Sequence, residues 1–424
     1  MTIITTPSAL NLNQFLRAGD NIVWGQGCGE PETLMEALIA QASDIGGLSA
    51  FATTSFSKQL SVAAAEAIHF SSMGAMGSFR ALAAAGKLGI IPCHIGQIGA
   101  MIDDGLIECD VALVQVSPAD AQGNHSYGLS SDHIRNAVAK ARVVIAEVND
   151  QVPFSFGDAV LPGARIDCAV HVSRTPVEVP SATSAPTDEA IARHVATFIG
   201  DGAVLEVGIG AVPDGVMRLL LDRRDLGFHS GMASDALVDL VEAGVITNAR
   251  KPFDQGVSIA GVLIGTRRLF DWAHRNPLLG MRGPEYTHGE PVLTRIPGLV
   301  TINSALEVDL TGQVNAEQSG DHYLGGTGGQ VDYVRGGARA PGGRSIIALP
   351  ATAKGGKLSR IVASLSGPVT TARSEVDVIV TEYGAAELKG QTLAERTRRL
   401  TAVAHPDFRE ALDRAAYTIR QRGF

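Results

Sequence analysis

The chain has 424 residues, of which 45% are hydrophobic, 19% are charged and only 5% are aromatic, and it contains 48 glycines. This composition is typical of a globular α/β protein with many tight turns and excludes disordered and fibrous classes, while the length predicts two or three domains. The formal net charge of −9 argues against broad nucleic-acid binding, which needs a basic face, but it permits a small anionic ligand.

Short β-branched runs alternate with amphipathic runs along the chain. The segments NIVWGQG, VALVQVS and ARVVIAEVN, which begin at residues 21, 111 and 141, predict buried strands. The segments EPETLMEALIAQA, SDHIRNAVAKA and TDEAIARHVATFI have apolar residues every three or four positions and predict helices. This alternation predicts an α/β fold with mostly parallel sheets covered by helices.

A segment rich in Pro, Ser and Thr near residues 180–190 predicts a boundary between two domains, residues 1–185 and 186–424. The two sides share a pattern of strand, G-x-G turn, proline and apolar helix, which begins at Ile22 and again at Ala203. The strand DVALVQVS is likewise matched by DVIVTEYG. We expect two related halves, the second enlarged around residues 250–300, although any two parallel α/β domains could share this pattern.

The sequence lacks the motifs of several common cofactor, nucleotide, catalytic and metal sites. Pro31 and Pro213 stand where a dinucleotide-binding turn needs its third glycine, so the two G-x-G turns predict exposed N–H groups for a phosphate or an oxyanion instead. Neither a P-loop, a G-x-S-x-G elbow nor a Cys/His cluster occurs, so no metal is expected. Scattered cysteines, no signal peptide and no long apolar run predict a cytoplasmic protein without a membrane segment.

The C-terminal third is rich in glycine turns and carries a family resemblance. The segments GIGAVPDGV, INSALEVDLTGQVN, GGTGGQVDYVRG, SRIV, VTEYGAAELKG and AHPDFREAL resemble, in order, the acetyl-CoA hydrolase/transferase family of class I CoA-transferases. This family includes the 4-hydroxybutyrate and butyryl-CoA:acetate CoA-transferases. The resemblance implies two related open α/β domains of the CoA-transferase type, an acyl-CoA and a small carboxylic acid as substrates, and a homodimer or homotetramer. Coenzyme A would be a substrate, with no tightly bound cofactor.

The resemblance also implies ping-pong chemistry, in which a glutamate carboxylate takes CoA from an acyl-CoA and passes it to a second acid. Backbone N–H groups at Ile209 and Gly329 match the oxyanion donors, and Glu382 matches a supporting carboxylate at a strand end. Ser359 and Arg360 match a motif near the ligand. The full set of expected substrate-binding residues is Gly208, Gly210, Gly231, Gly328, Ser359 and Arg360.

The nucleophile of the family stands in a turn that reads roughly H-[ST]-E-[ML]-x-x-D. Here residues 229–235 read HSGMASD, so Gly231 occupies the position of the glutamate. Glycine cannot form an acyl anhydride. Either this chain does not perform the family reaction, or another carboxylate reaches the same space.

Three glutamates come into question as the relocated carboxylate. Glu66 is the only charged residue between Lys58 and Arg80, so it is either exposed at a helix end or held in a dry pocket with a raised pKa; it is our preferred candidate. Glu30, after the first G-x-G turn, is the second candidate, although an acid there also fits a helix N-terminus. Glu307 also occurs in ordinary family members and therefore cannot explain the change.

The leading hypothesis is a CoA-transferase with a relocated carboxylate. The alternatives are an acyl-CoA hydrolase, in which Glu66 or Glu382 activates water, and a non-catalytic acyl-CoA-binding protein. The retained oxyanion turns, which are the second G-x-G turn and the glycine-rich loop, argue against pure binding, because a binder does not need oxyanion donors.

Overall fold

The computed structural model describes residues 2–421, with Arg420 described by its backbone only. Its contacts divide the chain into two compact units. The first comprises Met1–Pro180, Gly231–Asp235 and Val257–Thr287, and the second comprises Ser181–Ser230, Ala236–Gly256 and His288–Phe424. Much of the segment expected as an insertion therefore groups with the N-terminal residues, and the division at residues 185 and 186 stays a prediction.

The first unit is built on a parallel eight-stranded sheet. With strands numbered along the whole chain, its order is β1-β11-β8-β6-β2-β3-β4-β5. The strands of this unit are β1 (Ile3–Thr5), β2 (Asn21–Trp24), β3 (Leu48–Phe51), β4 (Ile68–Ser72), β5 (Leu88–Ile90), β6 (Val111–Val116), β7 (Asn124–Ser126), β8 (Val143–Asn149), β9 (Phe156–Gly157), β10 (Val160–Pro162), β11 (Cys168–Val172), β14 (Met232–Ala233), β15 (Ser258–Ala260), β16 (Val262–Leu263) and β17 (Leu279–Met281).

Helices cover this sheet, and short 3₁₀ turns occupy Gly27–Gly29 and Ala64–Glu66. Every residue of β6 and β8 is buried, as expected for parallel strands covered on both faces. The helices of this unit are α1 (Glu32–Ile45), α2 (Phe79–Ala84), α3 (Ile95–Asp103), α4 (Ile134–Lys140), α8 (Arg267–Ala273) and α9 (Pro284–Thr287).

The second unit has a six-stranded sheet of order β13-β12-β18-β23-β27-β28, in which only β28 runs antiparallel. Its helices are α5 (Pro186–Ala196), α6 (Ala211–Arg218), α7 (Asp235–Glu242, whose first residue is counted with the first unit), α10 (Glu290–Leu293), α11 (Gln330–Arg339), α12 (Leu393–Val403) and α13 (Pro406–Gln421). Its strands are β12 (Val204–Val207), β13 (Gly227–Phe228), β18 (Leu299–Ser304), β19 (Glu307–Asp309), β20 (Val314–Asn315), β21 (Gln318–Ser319), β22 (His322–Tyr323), β23 (Arg344–Ala348), β24 (Thr352–Ala353), β25 (Leu358–Ser359), β26 (Ile361–Val362), β27 (Val378–Thr381) and β28 (Gly384–Glu387).

Both sheets reverse their direction of growth beside a G-x-G turn. In the first unit the chain goes from β2 outward to β3, β4 and β5, and then resumes at β6 on the other side of β2. In the second unit it goes from β12 to β13 and resumes at β18. Such a switch point opens a crevice at the carboxyl ends of the strands, where α/β proteins bind ligands. The structure thus confirms the predicted α/β class with mostly parallel sheets and locates the two turns within it.

A strand carboxylate caps the first helix of the first unit. Helix α1 begins after Pro31, which offers no side-chain cap. Instead Glu147 in β8 accepts hydrogen bonds from the N–H groups of Thr33 (2.7 Å) and Leu34 (3.3 Å). Two of the N–H groups that a helix start leaves unpaired are satisfied in this way, and the helix that follows the Gly27–Gly29 turn is fixed to the sheet.

We therefore expect Glu147→Ala to lower the free energy of unfolding by about 1–3 kcal/mol, because it leaves buried N–H groups unpaired. Glu147→Gln keeps an acceptor oxygen and should lose less than half as much. Urea unfolding of both variants measures the difference, and equal losses would contradict the capping role.

Candidate functional site

In the first unit, hydrogen bonds between buried polar side chains hold the G-x-G turn in place. The turn follows β2, and its Gln26 side chain donates a hydrogen bond through Nε2 to Asp132. The amide oxygen of Gln26 accepts a hydrogen bond from the Thr53 hydroxyl at 2.7 Å. Because all three side chains are buried, the turn cannot move without breaking hydrogen bonds that water does not replace.

Asp132 is part of a buried ion pair that supports Gln26. Its Oδ1 lies 3.3 Å from Nδ1 of His133, and Nε2 of the same ring lies 3.2 Å from the Trp24 carbonyl oxygen. Burial opposes both charges, but their mutual attraction lowers the pKa of Asp132 and raises the pKa of His133. An oxygen acceptor lies beside each ring nitrogen, which favours the doubly protonated imidazolium form of His133. Nothing in the sequence spacing links the Asp132–His133 pair to Gln26, so this pair was not predicted.

Glu30 ends this turn as a buried carboxyl. It is 1% exposed, and its Oε2 accepts hydrogen bonds from the N–H groups of Phe56 (2.9 Å) and Ser57 (3.0 Å). Burial raises the pKa of Glu30 to about 8, although the Ser55 hydroxyl and those N–H groups oppose the shift. Its other oxygen, Oε1, has no well-formed hydrogen bond among residues 2–421. A buried carboxyl with a raised pKa, next to the switch point of the sheet, is a candidate for chemistry.

Gly231 lies in the same unit as Glu30 and is connected to its turn by short contacts. A Cβ atom placed on Gly29 would lie 2.6 Å from the Cβ of Ser130. Ser130 forms a β-bridge with Val262, whose N–H donates to the Gly231 carbonyl oxygen at 3.0 Å. Gly231 and Gly29, the residue before Glu30, therefore both adjoin the Ser130–Val262 bridge. That Gly231 occupies the position of the family's glutamate stays a prediction.

Glu66 lies at the opposite edge of the first sheet. It ends a 3₁₀ turn just before β4, and parallel strands begin at the edge away from the switch-point crevice. Its side chain is 69% exposed and lies 3.2 Å from Nζ of Lys87. Of the two environments considered for Glu66, the structure thus has the exposed one and not the dry pocket. Its role as the nucleophile stays a prediction, one that this geometry does not favour.

The second unit presents the turn Gly208-Ile209-Gly210 between β12 and α6. The N–H of Ile209 has no hydrogen-bond partner among the described residues, and the side chain is 37% exposed. Gly210 has φ = 127°, in the region that favours glycine. A pocket of about 240 Å³ adjoins the turn and is lined also by Asn303 and Pro350 at the ends of neighbouring strands. An unpaired N–H beside such a pocket suits a developing oxyanion.

A second buried carboxyl lies beneath this turn. Glu206 in β12 accepts hydrogen bonds from the Ile302 N–H (3.2 Å) and from Nδ2 of Asn303 (3.0 Å). Burial raises its pKa to about 8, against the effect of these hydrogen bonds. The Asn303 side chain, which lines the pocket, is therefore oriented by a group that the sequence analysis did not select.

The second glycine motif leads into α11. Gly328 has φ = 56° and Gly329 is the N-cap of the ten-residue helix. The N–H groups at such a terminus point outward and carry the positive end of the helix dipole. Since α11 connects β18 to the adjacent parallel β23, this terminus faces the carboxyl-end edge of the sheet, the same edge as Ile209.

The remaining predicted residues of the second unit gather at this edge too. Glu382 follows β27, and its Oε2 accepts a hydrogen bond from the N–H of Ala351 at 2.8 Å. Burial lowers the pKa of Arg360, and the nearby Glu382 opposes that shift. Ser359 lies beside Arg360, with its hydroxyl donating to the Ile361 carbonyl at 2.6 Å. Glu382, Arg360 and Ser359 are therefore neighbours in the second unit, and their part in a common site with Ile209 and Gly329 stays a prediction.

Within residues 2–421, three or more His, Cys, Asp or Glu side chains nowhere form a group that could hold a metal ion. In the same part of the chain, no helix combines the length and the apolar character needed to cross a bilayer.

Comparison with known proteins identifies the family. Residues 6–180 match the acetyl-CoA hydrolase/transferase N-terminal domain, and residues 265–416 match the C-terminal domain of the same family. The chain belongs to the acetyl-CoA hydrolase/transferase family. It is 38% identical to the 4-hydroxybutyrate coenzyme A transferase of Clostridium kluyveri, with 92% of each chain covered.

Two further relatives of this family member extend the match. The succinyl-CoA:cyclohexane-1-carboxylate CoA transferase of Geobacter metallireducens is 32% identical, over 95% of this chain and 92% of the relative. The crystal structure of RipA from Yersinia pestis is 33% identical and superposes with a TM-score of 0.93, over 99% of this chain and 98% of that chain. The family resemblance read from the motifs is confirmed.

The two glycines around Ile209 offer a matched pair of variants. A Cβ on either has no heavy atom within 4 Å, but only Gly210 has a positive φ. We expect Gly210→Ala to strain the turn and lower kcat on the order of 100-fold, the effect of losing an oxyanion donor. Gly208→Ala should stay within a few-fold of the parent protein. Steady-state kinetics measure both, and equal effects would argue against a backbone role for the turn.

The raised pKa of Glu30 predicts a pH-dependent stability. Because the folded-state pKa lies above the ordinary value of 4.5, its stabilising contribution is present below pH 4.5 and is lost as pH rises through about 8. Glu30→Gln removes this loss, so its unfolding free energy relative to the parent should rise between pH 5 and 9 by on the order of 4 kcal/mol. Urea unfolding at both pH values tests this. The exposed Glu66→Gln is the control, and a flat difference for Glu30→Gln would refute the buried environment.

Proposed function

We propose that this protein is a CoA-transferase that moves CoA from an acyl-CoA to a small carboxylic acid, with Glu30 as the nucleophilic carboxylate. The family membership supports acyl-CoA chemistry. The observation that carries the choice of Glu30 is its buried position at the switch point of the first unit, attached through Ser130 and Val262 to Gly231. Glu66, at the other edge and paired with Lys87, is the weaker candidate.

The proposed reaction has two half-reactions. The ionised Glu30 attacks the thioester carbonyl, so a carboxyl–acyl bond forms, the carbon–sulfur bond breaks and CoA leaves as the thiolate. The thiolate then attacks the glutamyl carbonyl, giving a glutamyl-CoA thioester and releasing the first acid as its carboxylate. The second acid reverses both steps: its carboxylate attacks the glutamyl thioester, and the thiolate attacks the resulting acyl group. Atoms and charge balance, and Glu30 is regenerated.

Each tetrahedral intermediate in this sequence carries an oxyanion. The N–H groups of Ile209 and Gly329 are the proposed donors to it, with Gly208, Gly210 and Gly328 giving those turns their shape. Glu382 and Arg360 form an interacting pair at the same edge of the second unit and are proposed to orient the carboxylate substrate. These roles are inferred from the family motifs and from the strand-end positions of the residues.

Acyl-CoA hydrolysis is the second candidate function, favoured by the raised pKa of Glu30. A carboxylate with a pKa near 8 is basic enough to activate water. The two functions differ in acceptor dependence, since a hydrolase consumes acyl-CoA without any acid. Cytoplasmic location, a homodimer or homotetramer, and coenzyme A as substrate without a tightly bound cofactor remain proposals taken from the sequence and the family.

The proposed intermediate predicts a specific chemical modification. After incubation with acetyl-CoA, succinyl-CoA or 4-hydroxybutyryl-CoA, borohydride should reduce the glutamyl-CoA thioester to an alcohol. Peptide mass mapping should then locate the altered residue in the peptide that contains Glu30. Glu30→Gln should abolish both the modification and transfer to acetate, succinate or cyclohexane-1-carboxylate, whereas Glu66→Gln should retain both.

Each other outcome of this experiment supports a different nucleophile or a different function. Modification of the peptide that contains Glu66 would replace Glu30 as the nucleophile and keep the transferase. Acyl-CoA loss in water without modification would favour the hydrolase. Binding of CoA without loss of any acyl-CoA in this panel would overturn the enzymatic proposal and favour an acyl-CoA-binding protein.

A further inference from the structure

His288 lies directly against the proposed oxyanion donor of the second unit. A Cβ atom placed on Gly329 would lie 2.6 Å from both Cδ2 and Nε2 of the His288 ring, and 3.4 Å from Cε2 of Tyr333. The Cα of Gly329 therefore rests on two aromatic rings, which we name the aromatic seat (His288 and Tyr333). Only glycine fits at this position while both rings keep their places.

The seat is itself fixed in position. The rings of His288 and Tyr333 have centroids 4.6 Å apart, and their side chains are 6% and 3% exposed. Tyr333 is one turn along α11, and its N–H donates to the Gly329 carbonyl oxygen at 3.1 Å. A buried ring packed at a tilt of 46° against its neighbour cannot rotate freely, so the contact with Gly329 is rigid.

We propose that His288 is a positioning residue of the reaction: by closing one side of the aromatic seat, it sets the direction of the N–H groups at the start of α11. This inference deepens the proposed function and rests on it, because it assigns a role to the Gly329 donor of that mechanism. Donors must be held to a fraction of an ångström to stabilise an oxyanion, and misplacement by 1 Å can cost on the order of 100-fold in rate.

The steric contact predicts a rescue. Gly329→Ala should lower kcat on the order of 100-fold, because the new Cβ collides with the His288 ring and displaces the donor. His288→Ala alone should lower kcat about tenfold with little change in KM, since the donor loses its support but the ground-state contacts remain. The double variant His288→Ala/Gly329→Ala has room for the new Cβ and should recover at least about tenfold in kcat over Gly329→Ala.

Two further variants separate shape from chemistry. His288→Phe keeps an aromatic ring packed against Tyr333 and should retain most of the parent kcat. His322→Ala, an exposed histidine at β22 in the same glycine-rich region, is the matched control and should match the parent. A double variant no better than Gly329→Ala would overturn the proposal, as would a His288→Phe protein as slow as His288→Ala.

A readout independent of turnover keeps this inference separate from the proposed function. Hydrogen exchange in peptides spanning residues 325–335 should be faster in His288→Ala than in the parent, because the first turn of α11 loses its support, while His288→Phe and His322→Ala exchange as the parent does. If the parent turns over none of the three acyl-CoAs, the proposed function fails and exchange alone decides the positioning claim. Unchanged exchange in His288→Ala refutes that claim.

Discussion

Parallel strand order is the constraint on which the rest of this structure depends. Strands of a parallel sheet run in one direction, so their carboxyl ends lie at the same edge. In both units the chain changes its direction of growth beside the strand that carries a G-x-G turn. The turn after β2 ends in Glu30, and the turn after β12 contains Ile209. In the second unit this position leaves the Ile209 N–H unpaired beside a pocket. The first turn differs from the sequence prediction of exposed N–H groups, because it is buried and the Gly27 N–H donates to the Thr54 carbonyl oxygen at 2.9 Å.

Burial decides which of the charged groups at these edges are reactive. Asp132 and His133 satisfy each other, so the ion pair is retained and Gln26 is held rigidly. Glu30 and Glu206 receive N–H donors but no cation contributes to their pKa values, so burial raises the pKa of both to about 8. The direction of each pKa shift is thus set by the partner that the fold supplies, since all three carboxyls are buried.

The sequence was informative where a local pattern has a local cause. Strand, G-x-G and helix in succession predict an exposed turn, and the structure has the turn Gly208–Gly210 between β12 and α6. Gly329 was chosen from the family motif, and it lies at the start of α11; the roles of Ile209 and Gly329 stay predictions. The choice between Glu30 and Glu66 could not be made in that way, because the apolar neighbours of Glu66 do not reveal at which edge of the sheet it lies. His288 and the Asp132–His133 pair carry no signal at all, since their partners are distant in sequence and meet only through packing.

The burial of Glu30 also affects whether CoA transfer or acyl-CoA hydrolysis dominates. With a pKa near 8, about one-tenth of Glu30 is ionised at pH 7, which lowers the population of the nucleophile, yet that fraction is a stronger nucleophile than an exposed carboxylate. An anhydride or glutamyl thioester formed at this position lies in a site that also excludes water, so a bound carboxylate competes well against hydrolysis. A more open site would raise the ionised fraction of Glu30. It would at the same time expose the anhydride and thioester intermediates to water. In the proposed mechanism, the burial of Glu30 therefore favours transfer to a bound carboxylate over hydrolysis.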